Sequence, residues 1–343
     1  MILVTGGTGL IGSHLLWRLH SEGKAIRALY RNYKRVAELS VMSQWYNSDD
    51  HDWYKSIEWI EVDMFDEESL REVLTDIELV YHCAATVSFH PSGAEEMIKK
   101  NVIITASLVN LCLKQPGIRL CHVSSVAALG RAETDKPIDE KNIWKSSSNN
   151  SPYAISKFES EREVWRGFAE GLDGFIVNPS MVIGPGKWGE SSTELIEKVY
   201  RGLRFYTSGI NAYVDVRDVV TLMTRLMDDT VQHARFILAG CNISFRTFFN
   251  ITANALGVKP PAREAKPWMA EIIWRFEWVR HKITGSTPLV SRAMARTAVN
   301  THFYSSEKIQ KRLHHTFIPI EESIGWSASC FLHSNRHKSS NNH

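Results

Sequence analysis

Tyr153 and Lys157 are the residues whose types and spacing could carry proton transfer. They are four positions apart, so on a helix they share one face, one turn from each other. We expect the Lys157 ammonium to stabilise the Tyr153 phenolate and to lower the pKa of the phenol towards neutrality. Tyr153 could then donate a proton to a substrate oxygen or accept one from it. The alternative is an exposed helix pair without a chemical role.

A glycine-rich turn near the start of the chain could hold a dinucleotide. An apolar run at 2–4 leads into three glycines and then into an apolar-periodic segment at 10–19, which predicts a strand, a tight turn and a helix. The first glycine allows the turn, the second lets a pyrophosphate approach, and the third lets the helix pack close to the strand. The positive end of the helix dipole would face the phosphates. The predicted cofactor contacts in this turn are Gly6, Thr8, Gly9, Leu10, Ile11 and Gly12.

The residues after the second predicted strand, at 25–30, favour NADP(H) as the cofactor. An NAD-binding unit usually places a carboxylate about 20 residues beyond the glycine turn, where it holds the ribose 2′-hydroxyl. This chain has Arg31 there, with Lys34 and Arg35 close behind. A guanidinium can bind a 2′-phosphate through two parallel hydrogen bonds, whereas a carboxylate would repel it. NAD(H) stays possible, because Arg31 could instead be a solvated loop charge.

Apolar runs alternate with helical segments along the first half of the chain. Strands are predicted at 2–4, 25–30, 57–62, 79–83, 120–123 and 175–177, and helices at 67–74, 101–112 and around Tyr153. This order predicts an α/β fold with a Rossmann-type doubly wound parallel sheet. Beyond residue 184 the alternation weakens, which predicts a smaller mixed α/β lobe. We therefore expect an NAD(P)-binding domain at 1–183, a substrate-binding lobe at 184–330 and a polar tail at 331–343. The lobe is expected to cross back to the sheet at about 210–240.

Polar and small side chains follow the carboxyl ends of the predicted strands, where ligands bind in open α/β sheets. Asp63 could accept a hydrogen bond from an adenine amino group, or it could cap the following helix. Ala84 and Ala85 would let a cofactor lie close to the backbone. The further cofactor candidates here are Met64 and Thr86, and the substrate candidates are Ser88 and Phe89.

Composition excludes several classes of function. The chain has 343 residues, 43% hydrophobic and 23% charged, with a net charge of +2, which is ordinary for a globular enzyme and gives no case for nucleic-acid binding. Its five cysteines are scattered without a CxxC pair, so we expect reduced thiols and no metal site. A strand that begins at Ile2 leaves no room for a signal peptide, and no apolar run approaches the ~20 residues of a membrane span. We therefore expect a cytoplasmic protein.

Taken together, these motifs resemble the extended branch of the short-chain dehydrogenase/reductase superfamily. The resemblance rests on TGGTGLIG at 5–12, on Ser125 and on YAISK at 153–157, and it covers about residues 1–330. That branch is also called the NAD-dependent epimerase/dehydratase family and includes dihydroflavonol 4-reductases. Further matches are Asp63, Asn101-Val102 and the stretches 178–184 and 213–219.

The resemblance implies roles for individual residues. Tyr153 would be the acid/base, and Lys157 would tune it while binding the nicotinamide ribose. Ser125 would hold the substrate oxygen, and is preferred over Ser124 because it stands five residues before Gly130. Asn101 would join a water relay or contact the cofactor. Pro179 and the backbone near Val182 would orient the nicotinamide.

The function that we expect is hydride transfer between NADP(H) and a ketone, aldehyde or secondary alcohol of a small organic substrate. Apolar residues at 126–129, after the serine, disfavour sugar dehydration, which needs an Asp-Glu pair there. The alternatives are a nucleotide-sugar epimerase with tightly bound NAD and a non-catalytic NAD(P)-sensing regulator. The resemblance also implies a possible homodimer through helices near 101–113 and 151–170. The Trp-rich segment 267–282 could rest on a membrane, form a lid or pack as an amphipathic helix.

Overall fold

The computed structural model describes residues 1–86, 93–131, 136–147, 150–266, 269 and 301–340. The strands of the first half are β1 (Ile2–Thr5), β2 (Ile26–Tyr30), β3 (Glu58–Glu61), β4 (Leu79–His82), β5 (Arg119–Val123) and β6 (Asp173–Pro179). Those of the second half are β7 (Met181–Ile183), β8 (Phe205–Tyr206), β9 (Ile210–Asp215), β10 (Ala234–Leu238), β11 (Cys241–Ser244) and β12 (Arg263–Glu264).

The helices lie between and after these strands. They are α1 (Leu10–Ser21), α2 (Tyr33–Ala37), α3 (Met42–Trp45), α4 (Glu67–Val73), α5 (Ala94–Leu113) and α6 (Pro152–Ala169). The later ones are α7 (Thr193–Tyr200), α8 (Val216–Met227), α9 (Phe245–Leu256), α10 (Glu307–Leu313) and α11 (Ile320–Ser340). Short 3₁₀ helices occupy Glu38–Val41, Trp53–Ser56 and Val126–Leu129.

Seven parallel strands form the central sheet, in the order β10-β6-β5-β4-β1-β2-β3. The strand order reverses between β1 and β4, which is where doubly wound sheets bind ligands. The predicted α/β fold with a doubly wound parallel sheet is therefore confirmed. The sheet takes its edge strand β10 from beyond residue 184.

Helices cover both faces of the sheet because the strands are apolar on both sides. Leu3 packs into a core with α4, α5 and α6, whereas its neighbour Val4 packs into the opposite core with α1 and α8. Both side chains are fully buried. Gly167 brings α6 close to α5, since a Cβ there would lie 2.5 Å from Val109 Cγ1.

A second sheet, β11-β9-β7, lies in the C-terminal half and packs with α7, α9 and α11. Its core includes Tyr213 stacked on Phe248, with ring centroids 4.6 Å apart. The tail expected from residue 331 begins inside α11, because Phe331 is buried in this core and the helix continues to Ser340. Helix α5 also begins seven residues before the predicted start at Asn101. Within the described residues, no helix is both long enough and apolar enough to cross a membrane.

Candidate active site

The glycine turn between β1 and α1 is a cradle that side chains would fill. Gly6 has a φ of +70°, and Gly9 N–H donates to Gly6 O over 3.0 Å. A Cβ on Gly12 would lie 2.2 Å from Gly6 O, so only glycine fits there. Gly9 is exposed and begins α1 without a side-chain cap, and the first turn of the helix has no acidic residue. The first-turn N–H groups therefore stay available to an anion, and the turn fits a dinucleotide pyrophosphate. Thr8, Leu10 and Ile11 are part of the same turn.

The carboxyl end of β4 lies directly beside this turn. Thr5 Oγ1 accepts a hydrogen bond from Ala84 N–H (3.2 Å) and is also hydrogen-bonded to His82 Nδ1 (2.8 Å). A Cβ on Gly6 would lie 2.6 Å from Ala84 N, so the two backbones are in close contact. His82 is buried, and burial lowers its pKa to about 3. It is therefore a neutral hydrogen-bonding residue behind the turn, and Ala84 and Ala85 line the same edge.

Asn101 on α5 fixes the segment that follows β4. Its Oδ1 accepts from Thr86 N–H and its Nδ2 donates to Thr86 O, both over 2.8 Å. The second N–H of Nδ2 donates to Ser156 Oγ over 2.9 Å. Both donors of the buried carboxamide are thus used to hold Thr86 and α6. The structure gives Asn101 a positioning contact with Thr86, one of the cofactor candidates.

Ser125, Tyr153 and Lys157 meet at the carboxyl end of β5. Ser125 begins the 3₁₀ helix, where its Oγ accepts from Ala127 N–H over 3.2 Å. Its side chain also hydrogen-bonds Tyr153, which stands in the first turn of α6. One turn further on, Lys157 Nζ donates to Val123 O over 3.0 Å. Neighbouring Ser124 points elsewhere and donates to Glu161 Oε2 over 2.7 Å. Ser125 is therefore the serine that contacts the tyrosine.

The pKa of Tyr153 departs from the expectation. Burial raises it, and the hydrogen bond with Ser125 offsets only part of that effect. The predicted lowering by Lys157 was wrong for the chain alone, because desolvation outweighs the other effects on the phenol. Burial also lowers the pKa of Lys157 to about 8, and the neighbouring Cys83 and Glu161 offset only part of that effect. At neutral pH the phenol therefore carries its proton and can give it away.

A loop after β7 crosses the start of α1. His14 Nε2 on α1 is hydrogen-bonded to Pro185 O (2.8 Å), and a Cβ on Gly186 would lie 2.9 Å from Leu10 Cδ1. Pro179 is the last residue of β6 and Val182 lies within β7, and both are buried. Sequence reasoning missed His14, whose partner is 171 residues away along the chain.

The cationic residues after β2 differ in their surroundings. Arg31 is exposed and has no ion-pair partner within the described residues, whereas Arg35 forms a two-point ion pair with Glu190, 3.0 Å for each contact. Asp63 is exposed at the end of β3, and its Oδ1 accepts from Phe65 N–H (3.1 Å). Met64 beside it is buried.

Some predicted features lie outside the described residues. These are the substrate candidates Ser88 and Phe89, and the Trp-rich segment 267–282 apart from residue 269.

The fold and the site together define a dinucleotide-binding enzyme of the short-chain dehydrogenase/reductase type. The model of the NAD dependent epimerase/dehydratase family matches residues 2–240. The chain therefore belongs to this family, and the predicted family is confirmed.

Several of the curated relatives are named as reductases. The chain is 28% identical over 323 residues to the putative dihydroflavonol 4-reductase of Synechocystis sp., covering 90% of this chain and 88% of that protein. It is 24% identical over 254 residues to cinnamoyl-CoA reductase 1 of Petunia hybrida, covering 70% and 72%.

Solved structures agree on the fold. The crystal structure of gox2253 is similar with a TM-score of 0.80 and 28% identity, covering 98% of this chain and 99% of the other. UDP-glucose 4-epimerase of Thermus thermophilus in complex with NAD has a TM-score of 0.72 at 19% identity, covering 96% and 98%. The expected reductase fits the named sequence relatives, and the alternative epimerase fits the matched family.

Proposed function

We propose that the chain reduces a carbonyl group of a small organic substrate with NADPH, or oxidises the corresponding secondary alcohol. The observation that carries this proposal is the hydrogen bond between Ser125 and a protonated Tyr153 at the carboxyl end of β5. Reduction of a carbonyl needs a proton for the oxygen, and a half-buried phenol that keeps its proton at neutral pH can supply it. The sequence relatives named as reductases support the same direction.

Each residue of the site then has a separate task. Ser125 Oγ would donate to the substrate oxygen and stabilise the charge that develops there. The Tyr153 phenol would give its proton to the same oxygen and regain one from solvent. Lys157, one helical turn after Tyr153, would stabilise the phenolate that is left. NADP(H), when bound, supplies or accepts the hydride.

The cofactor would lie along the carboxyl edge of the sheet. The glycine turn would bind the pyrophosphate, and Ala84, Ala85 and Thr86 would flank it. Asp63 with Met64 would contact the adenine end, while Pro179 and Val182 would orient the nicotinamide. We propose NADP(H) over NAD(H), because the end of β2 offers the exposed Arg31 and no carboxylate.

A homodimer through α5 and α6 is also part of the proposal. The two helices pack side by side, and α5 exposes Ile103, which is 39% accessible. Sedimentation should give a dimer for the unmodified chain and a smaller species for Ile103→Lys. A monomer for both the unmodified chain and the variant would contradict the proposed homodimer.

The reductase is tested by offering the purified chain NADPH or NADH with a dihydroflavonol, cinnamoyl-CoA or UDP-glucose. We expect NADPH to be consumed with one of the two carbonyl compounds. Conversion of UDP-glucose to its 4-epimer without net cofactor consumption would instead favour the epimerase, which structural neighbours of this fold represent.

A further inference from the structure

Glu161 is a buried carboxylate on α6, one turn beyond Lys157. It is 2% exposed. Its Oε2 accepts from Ser124 Oγ (2.7 Å) and from Asn178 Nδ2 (2.8 Å). Its Oε1 accepts from Trp165 Nε1 and from Arg235 Nη1, each over 3.2 Å. Four donors, one of them cationic, therefore satisfy both oxygens of the carboxylate.

Asn178 links this carboxylate to Ser125. Its Nδ2 donates one hydrogen to Glu161 and the other to Ser125 O over 3.1 Å. Both of these partners can only accept, so the amide must point its nitrogen towards them. This orientation leaves the buried Asn178 Oδ1 without a hydrogen-bond partner within the described residues. The two donor contacts therefore tie the amide of Asn178 to both Glu161 and the backbone of Ser125.

Three consecutive residues at the end of β5 are thus held from α6 and β6. Lys157 binds Val123 O, Glu161 binds Ser124 Oγ, and Asn178 binds Ser125 O. These contacts fix the backbone on both sides of the Ser125 side chain. The same face of α6 carries Tyr153, two turns before Glu161.

We propose that Glu161 is a positioning residue that sets Ser125 against Tyr153. This inference rests on the proposed function for its kinetic test only. Glu161 is hydrogen-bonded to Ser124 and Asn178, and it lies two helical turns after Tyr153 on α6. It acts through Asn178 and Ser124 on the backbone that carries Ser125.

The charge on Lys157 depends on the groups that face it. Four groups face the Lys157 ammonium. His82 lies in β4, Cys83 follows that strand, His122 lies in β5, and Glu161 lies on α6. Burial raises the pKa of Cys83 to about 12 and lowers that of both histidines, so these three groups are neutral near pH 7. Glu161 is the carboxylate among them, one helical turn from Lys157 on α6. Without it, the Lys157 ammonium should lose its proton at a lower pH.

The experiment compares Glu161→Gln with Glu163→Gln. Glu163 lies on the same helix and pairs with Arg166 at the surface side, so its loss makes a matched control. We expect Glu161→Gln to lower kcat on the order of 10²-fold with little change in KM, since a small misplacement of reacting groups has this effect. The alkaline limb of its pH profile should also move to lower pH. A profile and kcat like those of the control would overturn the proposal.

Asn178→Ala gives a second test if Glu161→Gln does not fold. It removes the link to Ser125 O but keeps the ion pair between Glu161 and Arg235. We expect kcat to fall by a similar factor while the alkaline limb stays in place. An unchanged kcat would count against the positioning role.

A structural readout separates this inference from the proposed function. Crystal structures of the unmodified chain and of Glu161→Gln give the distance between Ser125 Oγ and Tyr153 Oη without any turnover. We expect a hydrogen bond in the first and its loss in the second. If no carbonyl is reduced but this difference is found, only the proposed function fails. The same distance in both structures would refute the positioning role whatever the activity.

Discussion

Gly9→Ala should separate cofactor binding from folding. The backbone of Gly9 is extended, with φ −85° and ψ 172°, which any residue adopts. A Cβ there would lie 3.3 Å from Gly6 O, so a shift of a few tenths of an ångström accommodates it. At Gly12 the corresponding distance is 2.2 Å, and the backbone itself would have to move. We therefore expect Gly9→Ala to fold and Gly12→Ala to lose stability.

The expected loss of affinity follows from the helix N-terminus. The added methyl would stand where a pyrophosphate approaches α1 and would displace it from the first-turn N–H groups. A hydrogen bond to a charged group contributes about 1.5–3 kcal/mol. Loss of one such bond weakens dinucleotide binding about 10- to 150-fold.

The assay is a calorimetric titration with NADPH beside thermal unfolding of the free chain. Gly325→Ala is the matched control, because Gly325 lies within α11 and a Cβ there meets nothing within 4 Å. It should leave NADPH affinity unchanged and raise the unfolding free energy by about 0.5–1 kcal/mol. If Gly9→Ala binds NADPH as tightly as the unmodified chain, the pyrophosphate does not lie over this turn, and the reasoning is refuted.

Three further substitutions test other parts of the site. Arg31→Ala should lower the affinity for NADP several-fold while the affinity for NAD stays the same. Equal affinities for the two cofactors in the unmodified chain would contradict the role given to Arg31. Asn101→Ala should lower the unfolding free energy by about 1–3 kcal/mol, because it leaves Thr86 and Ser156 without their partner. An unchanged unfolding free energy in calorimetry would contradict this prediction. Lys157→Met should abolish turnover without lowering stability at pH 7. The folded pKa of Lys157 is lowered to about 8 from 10.5, so the unfolded chain binds more protons between these values. The stability of the unmodified chain should therefore rise relative to the Met variant over that pH range, and denaturant titrations showing no such change would contradict the assigned burial.

Local patterns were enough to predict the sheet. The apolar run before Gly6 and the periodic segment after Gly12 define a strand and a helix through contacts within a few residues. The parallel order of the strands then follows from the alternation of strands and helices. The C-terminal helix α11 was not predicted, because the polar residues at its end indicate a tail. Phe331 is nevertheless buried, and its neighbours in the core come from distant parts of the chain.

The site could be predicted only in part. The spacing of Tyr153 and Lys157 places them on one face of α6, and the same i+4 step from Lys157 would have pointed to Glu161. Nothing local shows that Glu161 meets Arg235, which is 74 residues away. The direction of the Tyr153 pKa also depends on burial, a tertiary property. Residue spacing therefore identifies Tyr153 and Lys157 but does not predict their protonation states.

The central claim is that Tyr153 gives the proton to the substrate oxygen. The most direct measurement is the turnover of Tyr153→Phe with NADPH and whichever carbonyl compound the unmodified chain reduces, beside a titration with NADPH alone. The substitution removes only the hydroxyl, so we expect NADPH binding to be retained. Turnover should fall by about 10²–10⁴-fold, the usual contribution of a general acid. Turnover of the variant at the rate of the unmodified chain would contradict the assignment.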